Sequence, residues 1–336
     1  MSKTKGENFS MIETLAKKDL QAYRGKREVP EDFNDFWNSN LQKIEESIPY
    51  QLKEKDFGLS FVNCFELTFE ASGKGTVYSK CLFPNVNEPV PVIFVFHGYQ
   101  GQSPDWTENL KYIAAGYAVV CMDVPGQAGH SVDSGQYKGI TVKGQVIRGA
   151  SEGREHLFYK HVYLDIYRLI SIVSSLSMVD EDMLYSLGAS QGGALALVAA
   201  ALHPSIKKTV TVYPFLSDFE RVLELGNHSE AYDELFRYFK FTDPFHLTEE
   251  KIFQILSYID VKNMAQRIKN PVLMVTGMDD DVCPPSTQYA IFNRLEGQKH
   301  HYVLPEYGHE ALNVGVNDLI YDYLIGSTIM SSEKES

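Results

Sequence analysis

The pattern Gly-x-Ser-x-Gly occurs twice in this chain of 336 residues, once in QVIRGASEGREHLFY (145–159) and once in YSLGASQGGALALVAA (185–200). Such a pentapeptide holds a serine on a sharp turn between a strand and a helix, with its hydroxyl exposed as a nucleophile. The chemistry on offer is acyl transfer through a serine ester. It needs a base beside the serine, an acid behind the base and N–H donors for the oxyanion. The turn also demands an apolar strand before it, small residues around it and a closely packed helix after it. DMLYSLGAS supplies the strand, and QGGALALVAAALHP supplies Gly192 and Gly193 for close backbone approach, then an Ala/Leu helix fit for a sheet centre. The first copy follows the polar ITVKGQVIR and runs into the bulky, charged REHLFYKH. Ser190 is therefore the candidate nucleophile, and Ser151 is expected in a surface loop.

Chain order finds the partners, because in such folds the acid and then the histidine follow the nucleophile on loops after later strands. Of the ten histidines, His300, His301 and His309 lie beyond a plausible acid loop. His300 and His301 begin the strand HHYVLP, at the wrong edge of the sheet. His309, in EYGHEAL, follows that strand and is the candidate base. The acid loop TGMDDDVCPP offers Asp279, Asp280 and Asp281, which periodicity cannot separate. An oxyanion hole would take one backbone N–H from Gln191 and the other from the turn HGYQGQ, where Tyr99 is the natural donor. His97 and Gly98 read as a strand end and a turn.

These residues need a frame. VPVIFVFHG (90–98) and YAVVCMDV (117–124) are nearly continuous apolar runs, as in strands buried on both faces of a parallel sheet. The pattern recurs at 183–187, 208–213, 271–276 and 301–304, with alternating strands at 61–71 and 75–83. Helical stretches fall at about 105–115, 158–177, 191–203, 285–296 and 310–325. This alternation predicts a mostly parallel, doubly wound α/β sheet in a single domain spanning 1–336. Residues 1–60 are expected as a helical N-terminal extension, with two polar helices in 12–47, the second carrying Phe33, Phe36 and Trp37. Residues 214–270 hold no buried strand, and AYDELFRYFKF and EEKIFQILSYI read as amphipathic helices of an insertion near the active site. Its aromatic stripe, Phe236, Tyr238 and Phe239, is expected to pack mainly as core.

Composition bounds the partners. A formal net charge of −13 argues against nucleic acid and anionic membranes. No apolar run reaches membrane-spanning length and the first residues lack a signal-peptide core, so a cytoplasmic location is expected. Cys64, Cys81, Cys121 and Cys283 are widely spaced and read as buried thiols.

The stretches GASQGG, VYLDIYRLI, YPFLSDF, LSYIDVKNMAQRIKNPVLM, VCPPST and YGHE resemble carbohydrate esterase family 7, the acetyl xylan esterases and cephalosporin C deacetylases of the α/β-hydrolase superfamily. The resemblance covers most of the chain and implies an α/β-hydrolase fold. It makes Asp280 the triad acid with Ser190 and His309, and Tyr99 and Gln191 the oxyanion donors. It implies an acetyl esterase acting on acetylated xylo-oligosaccharides through an acetyl-enzyme. The acyl pocket would be small, walled by Tyr99 and Pro214. No metal or organic cofactor is required, and a homo-hexamer of paired trimers is implied, in which the aromatic N-terminal segment could serve either subunit contacts or packing within one chain. One motif departs: the family's Arg-Gly-Gln appears as PGQAGHS (125–131), with Pro125 in place of arginine, which puts a bracing contact in doubt. The rival readings are a peptidase or thioesterase on this fold, and an inactive binding protein.

Overall fold

The computed structural model describes residues 13–138, 145–312 and 315–326. Its strands are β1 (Tyr50–Lys55), β2 (Val62–Glu70), β3 (Gly75–Pro84), β4 (Val90–Phe96), β5 (Ala118–Met122), β6 (Val132–Asp133), β7 (Val179–Ala189), β8 (Ile206–Val212), β9 (Val272–Gly277) and β10 (Lys299–Leu304). The helices are α1 (Lys17–Leu20), α2 (Phe33–Leu41), α3 (Leu110–Ala114), α4 (Phe158–Ser174), α5 (Gln191–Leu202), α6 (Phe219–Leu225), α7 (Asp233–Arg237), α8 (Glu249–Leu256), α9 (Val261–Met264), α10 (Pro285–Phe292) and α11 (Val316–Ile325).

All ten strands join one sheet in the order β1-β2-β3-β5-β4-β7-β8-β9-β10, with β6 on β3. From β5 to β10 neighbours run parallel, while β1, β2 and β3 are antiparallel. This is the α/β-hydrolase fold. The doubly apolar strands explain themselves by alternation. Val92 and Phe94 of β4 enter a core shared with α4 and α5, whereas Ile93 enters a second core with Tyr112 and Ile113 of α3 and Ile320 and Leu324 of α11. Helix α5 is buried along its whole length, as its uniformly apolar sequence requires.

Several sequence expectations shift. The extension is not helical throughout: Tyr50–Lys55 forms edge strand β1 against β2. Its sequence YQLKEK hides this because neither face is buried, and charged side chains protect a sheet edge. The first helix shrinks to the single turn α1, and residues 1–12 of the extension lie outside the described residues. The last helix starts at Val316 rather than 310, leaving His309 in a bend. Phe33, Phe36 and Trp37 pack within the chain: Trp37 Nε1 donates to Tyr258 O at 3.0 Å, and the Phe36 and Tyr258 ring centres lie 4.7 Å apart.

The interval 214–270 leaves the sheet after β8 and returns at β9 as α6, α7, α8 and α9, with a wide helical turn at Tyr238–Thr242. A buried ion cluster fastens it. Lys262 Nζ lies 2.5 Å from Asp260 and 3.6 Å from Asp218, all three nearly inaccessible. Asp218 also accepts from Tyr23 Oη at 2.7 Å and Lys26 N at 3.0 Å, so the N-terminal segment is tied to the insertion. Removing one partner of a buried ion pair strands the other charge. Lys262→Met is expected to cost about 3–5 kcal/mol in urea unfolding and to make the segment around Tyr23 an early site of limited proteolysis. Wild-type stability and an unchanged cleavage pattern would refute this role.

Candidate active site

Ser190 stands between β7 and α5 with φ 58° and ψ −123°, a left-handed backbone for a residue with a side chain. Such a conformation costs about 1–3 kcal/mol and persists only where its surroundings dictate it. They do so here by contact. A β-carbon on Gly192 would stand 1.9 Å from Phe96 O, and one on Gly188 would stand 2.2 Å from Gly192 C. Only glycine lets α5 start this close to the ends of β4 and β7. Ser190 N donates to Val212 O at 2.9 Å, and Phe215 N to Ser190 O at 3.1 Å.

The three predicted side chains meet. Ser190 Oγ lies 2.9 Å from His309 Nε2, and His309 Nδ1 lies 2.9 Å from Asp280 Oδ2. With Nδ1–H directed at a carboxylate, Nε2 is left as an acceptor for the serine proton. The His309 ring packs on Tyr213, centres 4.7 Å apart. Among the three aspartates, Asp279 and Asp281 are exposed while Asp280 is 2 % exposed. Asp280 Oδ1 accepts from Val282 N at 2.9 Å and Cys283 N at 2.7 Å, and Oδ2 accepts from Gln288 Nε2 at 3.1 Å. Its two oxygens are thus saturated by fixed donors, which holds one of them toward the imidazole.

Gln191 opens α5, so its N–H has no acceptor inside the helix and is free to face the site. Tyr99 follows Gly98 just beyond β4, in a turn pinned by His97. Val124 N donates to His97 Nε2 at 3.0 Å, which leaves Nδ1–H to reach Gly98 O at 2.8 Å. Burial lowers the pKa of His97 and favours this neutral form. Pro214 is buried beside Phe215.

The other expected bystanders fall where the residues implied. Ser151 is exposed in a short 3₁₀ turn, its hydroxyl 3.3 Å from Lys138 O. His301 is held at Thr276 Oγ1, 2.8 Å away, at the opposite end of β10 from His309, and burial lowers its pKa to about 4. The four cysteines are free and buried. Asp280, Cys283 and His309 also place ligand-type atoms within 4.8 Å of one another. Two of those three residues already bond each other, and burial holds the Cys283 thiol protonated, so the donor set suits a proton relay better than a cation.

The acetyl xylan esterase (AXE1) family model matches residues 11–327. The chain belongs to that family, whose members are carboxylic ester hydrolases. Its likeness to acetyl xylan esterase 1 from Thermoanaerobacterium sp. JW/SL YS485 is 41% in sequence, with a TM-score of 0.89 over 93% of this chain and 98% of that one. For the acetyl xylan esterase from Paenibacillus sp. R4 the figures are 30%, 0.87, 94% and 100%. Acetyl esterase Axe7A of Xylanibacter ruminicola is 28% identical over 82% of this chain, which spans 62% of that relative's length.

The family's glutamine loop survives without its arginine. Gln127 Nε2 lies 2.7 Å from Gln191 Oε1, and Gln191 Nε2 lies 3.0 Å from Gln127 Oε1, a paired amide contact beside the serine. Tyr159 Oη donates to Gln191 Oε1 at 2.8 Å, and Gln145 Oε1 accepts from Gln127 at 2.8 Å. Where the family has arginine, Pro125 offers its carbonyl to Gln145 Nε2 at 3.5 Å. The family resemblance implied a bracing contact in this loop. It gave no sign of Tyr159 or Gln145, whose roles arise from side chains converging out of different elements. Gln127→Ala would leave buried Gln191 held only by Tyr159 on Oε1 and by a 3.4 Å contact from Nε2 to His97 O, and so loosen the serine's neighbour. We expect kcat on 4-nitrophenyl acetate to fall about tenfold with KM little changed; unchanged kcat would dismiss the brace.

Proposed function

We propose that this chain is a serine esterase that removes acetyl groups from acetylated xylo-oligosaccharides and related small acetyl esters, cephalosporin C among them. The observation that carries the reading is the relay of Ser190, His309 and Asp280 with both links at 2.9 Å. His309 Nε2 takes the Ser190 proton as Oγ attacks the acetyl carbonyl. Asp280 holds the imidazole tautomer and stabilises the imidazolium. The oxyanion rests on the N–H groups of Tyr99 and Gln191, each worth about 3 kcal/mol of barrier. His309 then gives its proton to the departing sugar alcohol. A water, deprotonated by the same imidazole, attacks the acetyl-enzyme and frees acetate.

Tyr99 and Pro214 are assigned to a small acyl pocket. Its support is local: the Tyr99 ring lies 5.4 Å from Phe215, which adjoins Pro214 close to Ser190. A cytoplasmic setting fits four unpaired, buried cysteines. A homo-hexamer is proposed from the family resemblance, and light scattering would test it.

Acetate release from acetylated xylotriose is the deciding assay. Ser190→Ala should reduce it by at least about 10³-fold, and Asp280→Asn about 10⁴-fold in kcat. A fluorophosphonate should add once, on Ser190. Butyrate esters should be poor substrates compared with acetates. Release that survives Ser190→Ala would overturn the nucleophile, and no release from the sugar beside turnover of 4-nitrophenyl acetate would overturn the substrate.

A further inference from the structure

Beside the serine lies a cavity of about 740 Å³ that the relay itself does not line. Two residues join it to the chemistry. Tyr99 and Gln127 both face it, and Gln127 is bonded to Gln191, the neighbour of Ser190. A volume of that order accommodates a ligand much larger than an acetyl group.

Its walls have an unusual charge for this protein. The chain carries 44 acidic against 31 basic side chains. The cavity is nevertheless lined by Lys138, Arg148 and Arg237, with Glu234 the one acidic residue among the described lining residues. Arg148 is tethered by Asp133 at 2.6 Å and stacked on Tyr137, 4.2 Å from the ring centre. Arg237 is tethered by Asp233 at 2.6 Å, one turn earlier in α7. Neither aspartate lines the cavity. Each guanidinium keeps further N–H donors in a planar fork suited to a carboxylate.

Glu234 does not cancel this field. It is 6 % exposed and accepts the backbone N–H of Val146, and burial pushes its pKa up to about 8. At neutral pH it is therefore mostly the uncharged acid. Tyr99 Oη, also buried, lies at the same wall, with the Gln100 side chain and the Gln145 backbone as its polar neighbours.

We propose that this cavity is a leaving-group subsite that selects acetyl esters whose alcohol part bears a carboxylate. The inference rests on the esterase reading and narrows its substrate class. Two sources share that chemistry: an acetylated oligosaccharide carrying a uronic acid, and a carboxylated β-lactam acetate. Electrostatic attraction into the cavity raises the local concentration of either, and the effect falls with salt.

The test compares three acetate-free probes by calorimetry on Ser190→Ala protein: xylotriose, the same trisaccharide bearing one glucuronic acid, and deacetylcephalosporin C. Because it reads binding alone, it stands apart from the acetate-release assay that decides the esterase reading. A carboxylated probe is expected to bind about tenfold more tightly than xylotriose at low salt, and the advantage should shrink several-fold near 0.5 M salt. Whichever carboxylated probe binds more tightly identifies the source. Lys138→Gln, at an exposed position, and Arg237→Gln, at a half-buried one, should each lower the advantage about threefold, and the double variant should abolish it. Arg148→Gln should do the same if it folds, but the first two variants suffice. Equal binding of all three probes, or an advantage that survives the double variant, would overturn the proposal.

Discussion

The site depends on a contact that admits no β-carbon. Helix α5 begins where Gly192 meets the carbonyl of Phe96, at the end of β4, and Gly188 of β7 meets Gly192. That approach forces the turn at Ser190 into its left-handed backbone, and the turn in turn aims Oγ at the edge where the loops after β4, β9 and β10 arrive. Tertiary packing of a fully buried helix supplies the free energy that a strained serine requires. The glycine pattern is therefore a statement about distance between elements before it is one about catalysis.

Around that turn the fold spends its polar groups in fixed places. Asp280 is saturated by two backbone amides and a glutamine before it meets His309. Gln191 is locked by Gln127 and Tyr159. Buried networks of this sort are costly when any member is missing and rigid when all are present. Preorganised dipoles of this kind lower a barrier because they need not reorient as charge develops.

The insertion and the N-terminal segment act as one layer. The Asp218, Lys262 and Asp260 cluster ties α6 and α9 to residues near Tyr23. Glu13 extends the tie, pairing with Arg221 of α6 at 2.9 Å and accepting Ser286 N at 2.8 Å at the start of α10, just past the Asp280 loop. Helix α7 and the turn after it then present Glu234, Arg237 and Tyr238 to the cavity beside the serine. A layer held at its far side by buried charges can shape a site at its near side without joining the sheet.

The sequence by itself determined the parallel core, the choice of Ser190 over Ser151 and the choice of His309 over its neighbours. Those rest on apolar runs, on small residues flanking a turn and on chain order, which are local or one-dimensional. It could not choose among Asp279, Asp280 and Asp281 from spacing, because one loop presents all three; only a family motif singled out the middle one. Nor could it see β1, whose exposed faces carry no pattern, or split the aromatic stripe of the insertion, where Phe239 is buried while Tyr238 lines the cavity. Glu234 reads in sequence as one more solvated acid on a helix. The tertiary structure decided these, for a physical reason: burial, and the partners that make burial tolerable, come from residues far apart in the chain. Hydrophobic periodicity is written along a strand or helix, but the environment of a single carboxylate exists only after the elements have met.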